Sequence, residues 1–157
     1  MGPTLGRWAT AIAAVELSPN LEPDQRDSLH CAVAWWNHRR GQDIFFIQEG
    51  SQFTDLGFPP RRGVITVTSR PPVGGPEVLA TSEVFYLGKK NGLIGSAHIE
   101  LRPGTKGLLA DRAFAHELGH ALGLGHTVNP TPESLMGIGS GGWNLLQEEI
   151  DFIRKLG

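Results

Sequence analysis

The sequence predicts an α+β fold, a twisted sheet backed by two helices with a cleft beneath the sheet's edge. Three observations predict it. β-rich runs fill the first hundred residues and helical patterns close the chain. An amphipathic helical pattern sits between the first and second of those runs. The length of 157 residues fits one domain, 1–157, given that domains usually hold ~100–150 residues. A chain this long buries roughly two-thirds of its unfolded surface, enough for a core without covalent staples. A single cysteine, Cys31, excludes an intramolecular disulfide framework and a Cys-rich zinc ribbon. The 21 glycines and 11 prolines exceed a usual combined share of ~12%. They predict many turns between short elements.

Arg7 precedes an apolar stretch from Trp8 to Val15 that Thr10 interrupts. A secretory signal needs a cleaner apolar region and a small-residue cleavage site, so residues 9–17 read as the first strand. Ser18-Pro19-Asn20 is a turn. Pro23 fits a first helical position, and Asp24 and Asp27 suit a helix N-terminus. Leu29, Val33 and Trp36 recur at i, i+4 and i+7, with Ala32 beside them. The helix ends at Arg39-Arg40-Gly41, basic residues followed by a C′ glycine. Residues 43–48, 63–69, 80–87 and 95–101 read as four further strands. Lys89-Lys90-Asn91-Gly92 is a charged turn, and 50–62 and 70–79 are surface loops. Residues 110–124 form the second helix. Residues 144–156 form the third, with Asn144 as N-cap and Leu146, Ile150, Ile153 and Leu156 on one stripe.

Charge narrows the function classes. Fourteen basic and sixteen acidic residues give a formal charge of −2. That balance argues against a nucleic-acid partner. No run of ~18 apolar residues is present, so no membrane-spanning helix is expected.

The second helix carries the chemistry. Residues 116–126 read HELGHALGLGH. His116 and His120, four apart, leave one helix face a turn apart, where one zinc ion can take both nitrogens at ~2.0–2.1 Å. Glu117 cannot share that geometry but can reach a water held on the metal. Gly123 and Gly125 break the helix, since glycine accepts the left-handed conformation of a sharp turn. The turn brings His126 back as a third ligand. Three neutral imidazoles leave a fourth tetrahedral position open, as in catalytic rather than structural zinc sites. Zinc lowers the pKa of its bound water toward ~7. Glu117 then acts as general base on that water and as general acid toward the leaving amine. An HExxH pattern alone also arises on helices with surface histidines. Gly123 and His126 at their offsets, with apolar Phe114, Leu118, Ala121 and Leu122 on the other helix positions, set this chain apart.

HExxHxxGxxH followed by a methionine-bearing turn resembles the metzincin signature, and Ser134-Leu135-Met136-Gly137 looks like that turn. Within metzincins the chain is most similar to matrixins, the matrix-metalloprotease type. Thr127 follows the third histidine, where matrixins carry a small hydroxyl residue. No tyrosine lies near Met136. Ala97-His98-Ile99, Ala34-Trp35-Trp36 and the C-terminal stretch extend the likeness more loosely through most of the chain.

The resemblance implies a twisted, mostly parallel five-stranded sheet with an antiparallel edge strand, a backing helix, an active-site helix and a C-terminal helix, the zincin or metzincin-like arrangement. It implies a zinc-dependent metalloendopeptidase with Glu117 as catalytic residue and His116, His120 and His126 as metal ligands. It places Met136 as an apolar floor under the zinc. It further implies a protein or peptide substrate lying extended along the edge strand near 82–86, action as a monomer, and an extracellular setting. The alternative is a zinc-binding pseudoprotease that recognises peptides without cleaving them.

Departures matter too. Matrixins usually carry a second, structural zinc held by several histidines and an aspartate, and calcium. Here only His98 lies in that region, and acidic residues are sparse from 70 to 112. One zinc is therefore expected. His98 reads as a buried hydrogen-bonding histidine, and carbonyl-held calcium stays open as an alternative. His30 and His38 read as polar residues flanking the first helix. Cys31 reads as a small buried hydrophobe on that helix's apolar side. The resemblance puts the pocket for the side chain after the scissile bond beside His116, walled by residues 137–143. That uncharged wall predicts an apolar side chain there, with Trp143 packed into the core or lining the pocket.

Overall fold

Val15, Leu17, Val67, Ala97, Ile99 and Leu101 alternate with polar neighbours, and their apolar side chains are buried. That period-two pattern builds the sheet. The computed structural model describes residues 1–49, 59–88, 92–139 and 141–156. Among them the elements are β1 (Arg7–Trp8), β2 (Ala13–Leu17), α1 (Pro23–Arg40), β3 (Phe45–Gln48), β4 (Val64–Ser69), β5 (Ala80–Tyr86), β6 (Leu93–Leu101), α2 (Gly107–Leu122) and α3 (Gln147–Arg154).

The fold is α+β, with a mostly parallel six-stranded sheet in the order β1-β6-β4-β2-β3. β5 runs antiparallel along β6. Val15 lies opposite Ile65, and Val67 opposite Ile99, so apolar residues stack across the sheet beneath the helices. Six strands stand where five were expected, because the strand expected at 9–17 forms only over Ala13–Leu17 and Arg7–Trp8 make a separate strand ahead of it. Arg7 and Trp8 pair with Leu93 and Ile94, whereas Ala13–Leu17 joins β3 and β4. Between them the chain turns at Thr10, whose hydroxyl accepts the Trp8 indole N–H at 2.6 Å and donates to the Ile12 carbonyl at 3.0 Å.

α1 begins at Pro23 and ends at Gly41 in the left-handed region, φ 80°, as its sequence predicts. The Gln25 side chain is buried at its start. Its amide donates to the carbonyls of Arg102 and Thr105 at 3.1 and 3.2 Å, tying α1 to the segment that leads into α2. Leu29, Ala32, Val33 and Trp36 are buried. Cys31 is exposed, contrary to expectation. At 100° per residue it stands about 200° from Leu29, on the far side of the helix. His30 and His38 are exposed as expected.

α3 starts three residues later than expected. Asn144 is not its cap. Its N–H donates to the Glu133 carbonyl and its own carbonyl accepts from Leu135, both at 2.8 Å. The cap is Leu146, whose N–H donates to Glu149 Oε1 at 2.8 Å. Ile153 and Leu156 are buried, but Leu146 is exposed. Residues 70–79 are largely exposed. The turn at 89–91 and most of the loop at 50–62 lie outside the described residues. No helix among the described residues is long and apolar enough to cross a membrane.

Candidate metal centre and cleft

α2 presents two different faces. Phe114, Leu118, Ala121 and Leu122 are fully buried on its inner side. The buried Trp36 indole donates to the Ala115 carbonyl at 2.9 Å and pins α2 against α1. The outer face presents His116, Glu117 and His120 to the cleft. The helix stops at Gly123, φ 112°, where the Leu124 N–H turns back to the Gly119 carbonyl at 3.0 Å. Gly125 is not in the left-handed region, contrary to its expected part in the turn. It is required for clearance instead, since a Cβ there would stand 2.0 Å from the Pro3 carbonyl oxygen. A Cβ on Gly2 would likewise stand 1.9 Å from the His126 carbonyl oxygen. The first residues and the loop bearing His126 therefore pack backbone to backbone.

The structure brings the three predicted ligands together. His120 Nε2 lies 3.1 Å from His116 Nε2 and 3.2 Å from His126 Nε2. They form the one group of three or more metal-capable side chains found among the described residues. His116 Nδ1–H donates to the Leu135 carbonyl and His120 Nδ1–H to the Leu124 carbonyl, each at 2.7 Å. A carbonyl can only accept, so these bonds place the protons on Nδ1 and leave both Nε2 lone pairs facing the common centre. Two nitrogens bound at ~2.0–2.1 Å in a tetrahedron stand ~3.3 Å apart, close to the observed spacing. The donor set fits one metal ion.

The electrostatics agree. Burial pushes the His116 pKa down to about 3, helped by neighbouring His120 and opposed by its bond to Leu135. Burial also lowers His120 and His126, the latter with help from His120. All three rings are neutral at physiological pH, the form a metal takes. Burial pushes the Glu117 carboxyl up to about 7, opposed by a hydrogen bond from the Ser82 hydroxyl.

Met136 is fully buried against the helix backbone between the two ligands. A Cβ on Gly119 would meet its sulfur at 2.5 Å and Trp36 at 3.2 Å. Thr127, next to His126, donates its N–H to the Met136 carbonyl at 2.9 Å and its hydroxyl to buried Glu149 at 2.9 Å. His98 does not join the cluster. It is 5% exposed and its Nδ1 lies 2.7 Å from the Thr66 hydroxyl.

The centre opens into a cleft of about 880 Å³, lined by Ala80, Thr81 and Ser82 of β5 above and by Gly137, Ile138 and Trp143 below. Trp143 does both things considered for it. It lines the cleft and packs at 55° against Trp35, with ring centroids 5.5 Å apart. One lining residue escaped the sequence reading. Arg112, half-buried on α2, donates from Nε to the Gly142 carbonyl at 3.1 Å. Its Nη2 donates to the carbonyls of Ser134 at 3.2 Å and Leu135 at 3.0 Å. Its signal was the spacing, since Arg112, His116 and His120 recur every four residues along one face. Compared with known proteins, the chain matches no family model and no curated protein.

Proposed function

We propose that this chain is a zinc-dependent endopeptidase of the matrixin-like metzincin type. The observation that carries the reading is the convergence in one open cleft of three neutral imidazoles, two from α2 and one from the loop after it, with the Glu117 carboxyl of α2. Three nitrogen ligands and no thiolate suit zinc. His116, His120 and His126 would hold the ion. Bound there, it would supply Lewis acidity to a peptide carbonyl and to water.

The chain's own residues do the rest. Glu117, adjacent in sequence to His116, accepts a proton from the attacking water and returns it to the departing amine. A carboxyl lifted to about 7 suits both directions of transfer near neutral pH. The carbonyls of Leu135 and Leu124 keep the two helical imidazoles in the tautomer that points Nε2 inward. β5 pairs only with β6 among the described residues. Its outer edge can add an extended substrate as a further strand. A protein or peptide substrate and an extracellular setting belong to the same proposal.

Metal analysis with a casein digest tests it. Exhaustively dialysed protein should hold about one zinc per chain. It should degrade denatured casein, stop on chelation and recover on adding zinc. Two zinc equivalents would mean a second site. Zinc retained without cleavage of any substrate would favour the peptide-recognising pseudoprotease.

A further inference from the structure

Arg112 is bound on one side only. Its Nε and Nη2 groups donate to the three carbonyls of Gly142, Ser134 and Leu135. A guanidinium carries five N–H donors, and the two on Nη1 have no partner among the described residues. No carboxylate pairs with it there either. The group is nonetheless half-buried and lines the cleft. Arg112 precedes His116 by four residues, so it stands one turn, ~6 Å, along the same face. That distance matches the reach from a scissile carbonyl to the side chain of a neighbouring residue in an extended peptide, at ~3.3 Å per residue.

The uncharged wall at 137–143 had predicted an apolar side chain here. The wall is uncharged, but the helix opposite it is not. A partly desolvated cation without a counter-charge is costly, and an incoming anion relieves that cost. The carbonyls around Nε and Nη2 fix the guanidinium plane of this cleft-lining residue, so its two Nη1 donors are held in place without being used. Glu77, on the cleft's upper rim, is exposed and makes no ion pair with it.

We propose that Arg112 selects a carboxylate on the residue flanking the scissile bond. The inference rests on the peptidase reading and names the substrate class for it. Two sources share this chemistry, an Asp or Glu side chain and the free C-terminus of a short peptide. Arg112 contributes to substrate choice and not to the bond-breaking step.

Five peptides test it on the zinc-loaded wild type. Three share one flanking sequence and carry Glu, Gln or Leu beside the cleaved bond, and two end at a Leu in that position, as the free carboxylate or as its amide. We expect Glu to exceed Gln by at least tenfold in kcat/KM. Cleavage of the free-acid peptide above its C-terminal amide would assign the terminus as a source. Equal rates for the two would leave the side chain as the source. In Arg112→Met the Glu/Gln ratio should collapse toward one. Because that change could loosen the 134–142 segment, the wild-type Glu/Gln comparison stands by itself. Anisotropy of labelled peptides on zinc-loaded Glu117→Gln gives a second readout, with the Glu peptide expected to bind at least tenfold tighter than the Gln peptide. Cleavage with Gln or Leu equal to or above Glu would overturn the proposal while leaving the peptidase reading intact. No cleavage of casein or any peptide would remove the peptidase reading. Binding without Glu preference would then overturn this proposal as well.

Discussion

Glu117 is the residue whose burial costs the fold most openly. Its carboxyl is buried and its pKa is raised from 4.5 to about 7. In the metal-free protein the folded state therefore binds a proton more tightly than the unfolded one. Above pH 7 both states are ionised and the fold bears the full cost of the buried charge. As pH falls from 7 toward 4.5 the folded carboxyl protonates first and the cost disappears. Glu117→Gln should thus stabilise the metal-free protein at pH 8 by about 3 kcal/mol, since each pKa unit is worth ~1.4 kcal/mol. The gain should vanish near pH 4.5. Urea titrations at the two pH values check this, and an equal effect at both would show that the carboxyl is not held up by burial. The imidazoles run the other way. Their folded pKa values lie below the unfolded 6.5, so they add a loss of metal-free stability as pH falls below 6.5. Measuring Glu117→Gln against wild type cancels that contribution.

At the scale of elements, close approach decides more than propensity. Gly119→Ala should gain about 1 kcal/mol of helix propensity. The new Cβ would stand 2.5 Å from the sulfur of fully buried Met136 and 3.2 Å from the ring of fully buried Trp36. Overpacking of this kind costs about 1–3 kcal/mol, so a net fall in thermal stability is expected. A rise would mean that Met136 is not seated under the helix. Gly125→Ala should act on the metal instead, because the Pro3 carbonyl at 2.0 Å would push back the loop that presents His126. A loss of at least about tenfold in zinc affinity is expected, on the scale of disrupted ligand support. Competition with a chromophoric chelator measures it. Unchanged affinity would show that the loop can give without moving the ring.

This is also where legibility in the sequence stops. His116, Glu117, His120 and His126 were readable because a helix repeats every 3.6 residues and a glycine ends it, both local facts. α1 was readable from its cap, its stripe and Gly41. The break at Thr10 was not, since it depends on two halves of one run pairing with different strands. Asn144 was mistaken for a cap because its partners, Glu133 and Leu135, are visible only after the chain folds back. Arg112 was legible only as its four-residue spacing from His116, and its anchoring was not. Its partners are carbonyls 22 to 30 residues away, and carbonyls leave no mark in a sequence.

For the whole molecule, the metal would join parts that the sheet and helices leave separate. His116 and His120 come from α2, and His126 from a loop braced by the first residues and by Thr127 on Glu149 of α3. Binding to the folded state alone stabilises it by about 2.7 kcal/mol at one hundred times Kd. For a chain of this size that raises the melting temperature by about 5–10 °C. Zinc should produce that shift and a chelator should reverse it. The measurement that bears most directly on the account is casein hydrolysis by Glu117→Ala beside the wild type, both shown by metal analysis to hold one zinc. A general-base role for Glu117 predicts equal zinc and a rate at least about a hundredfold lower in the variant, the share expected of a positioned base. A variant that holds its zinc and cleaves casein at the wild-type rate would contradict it.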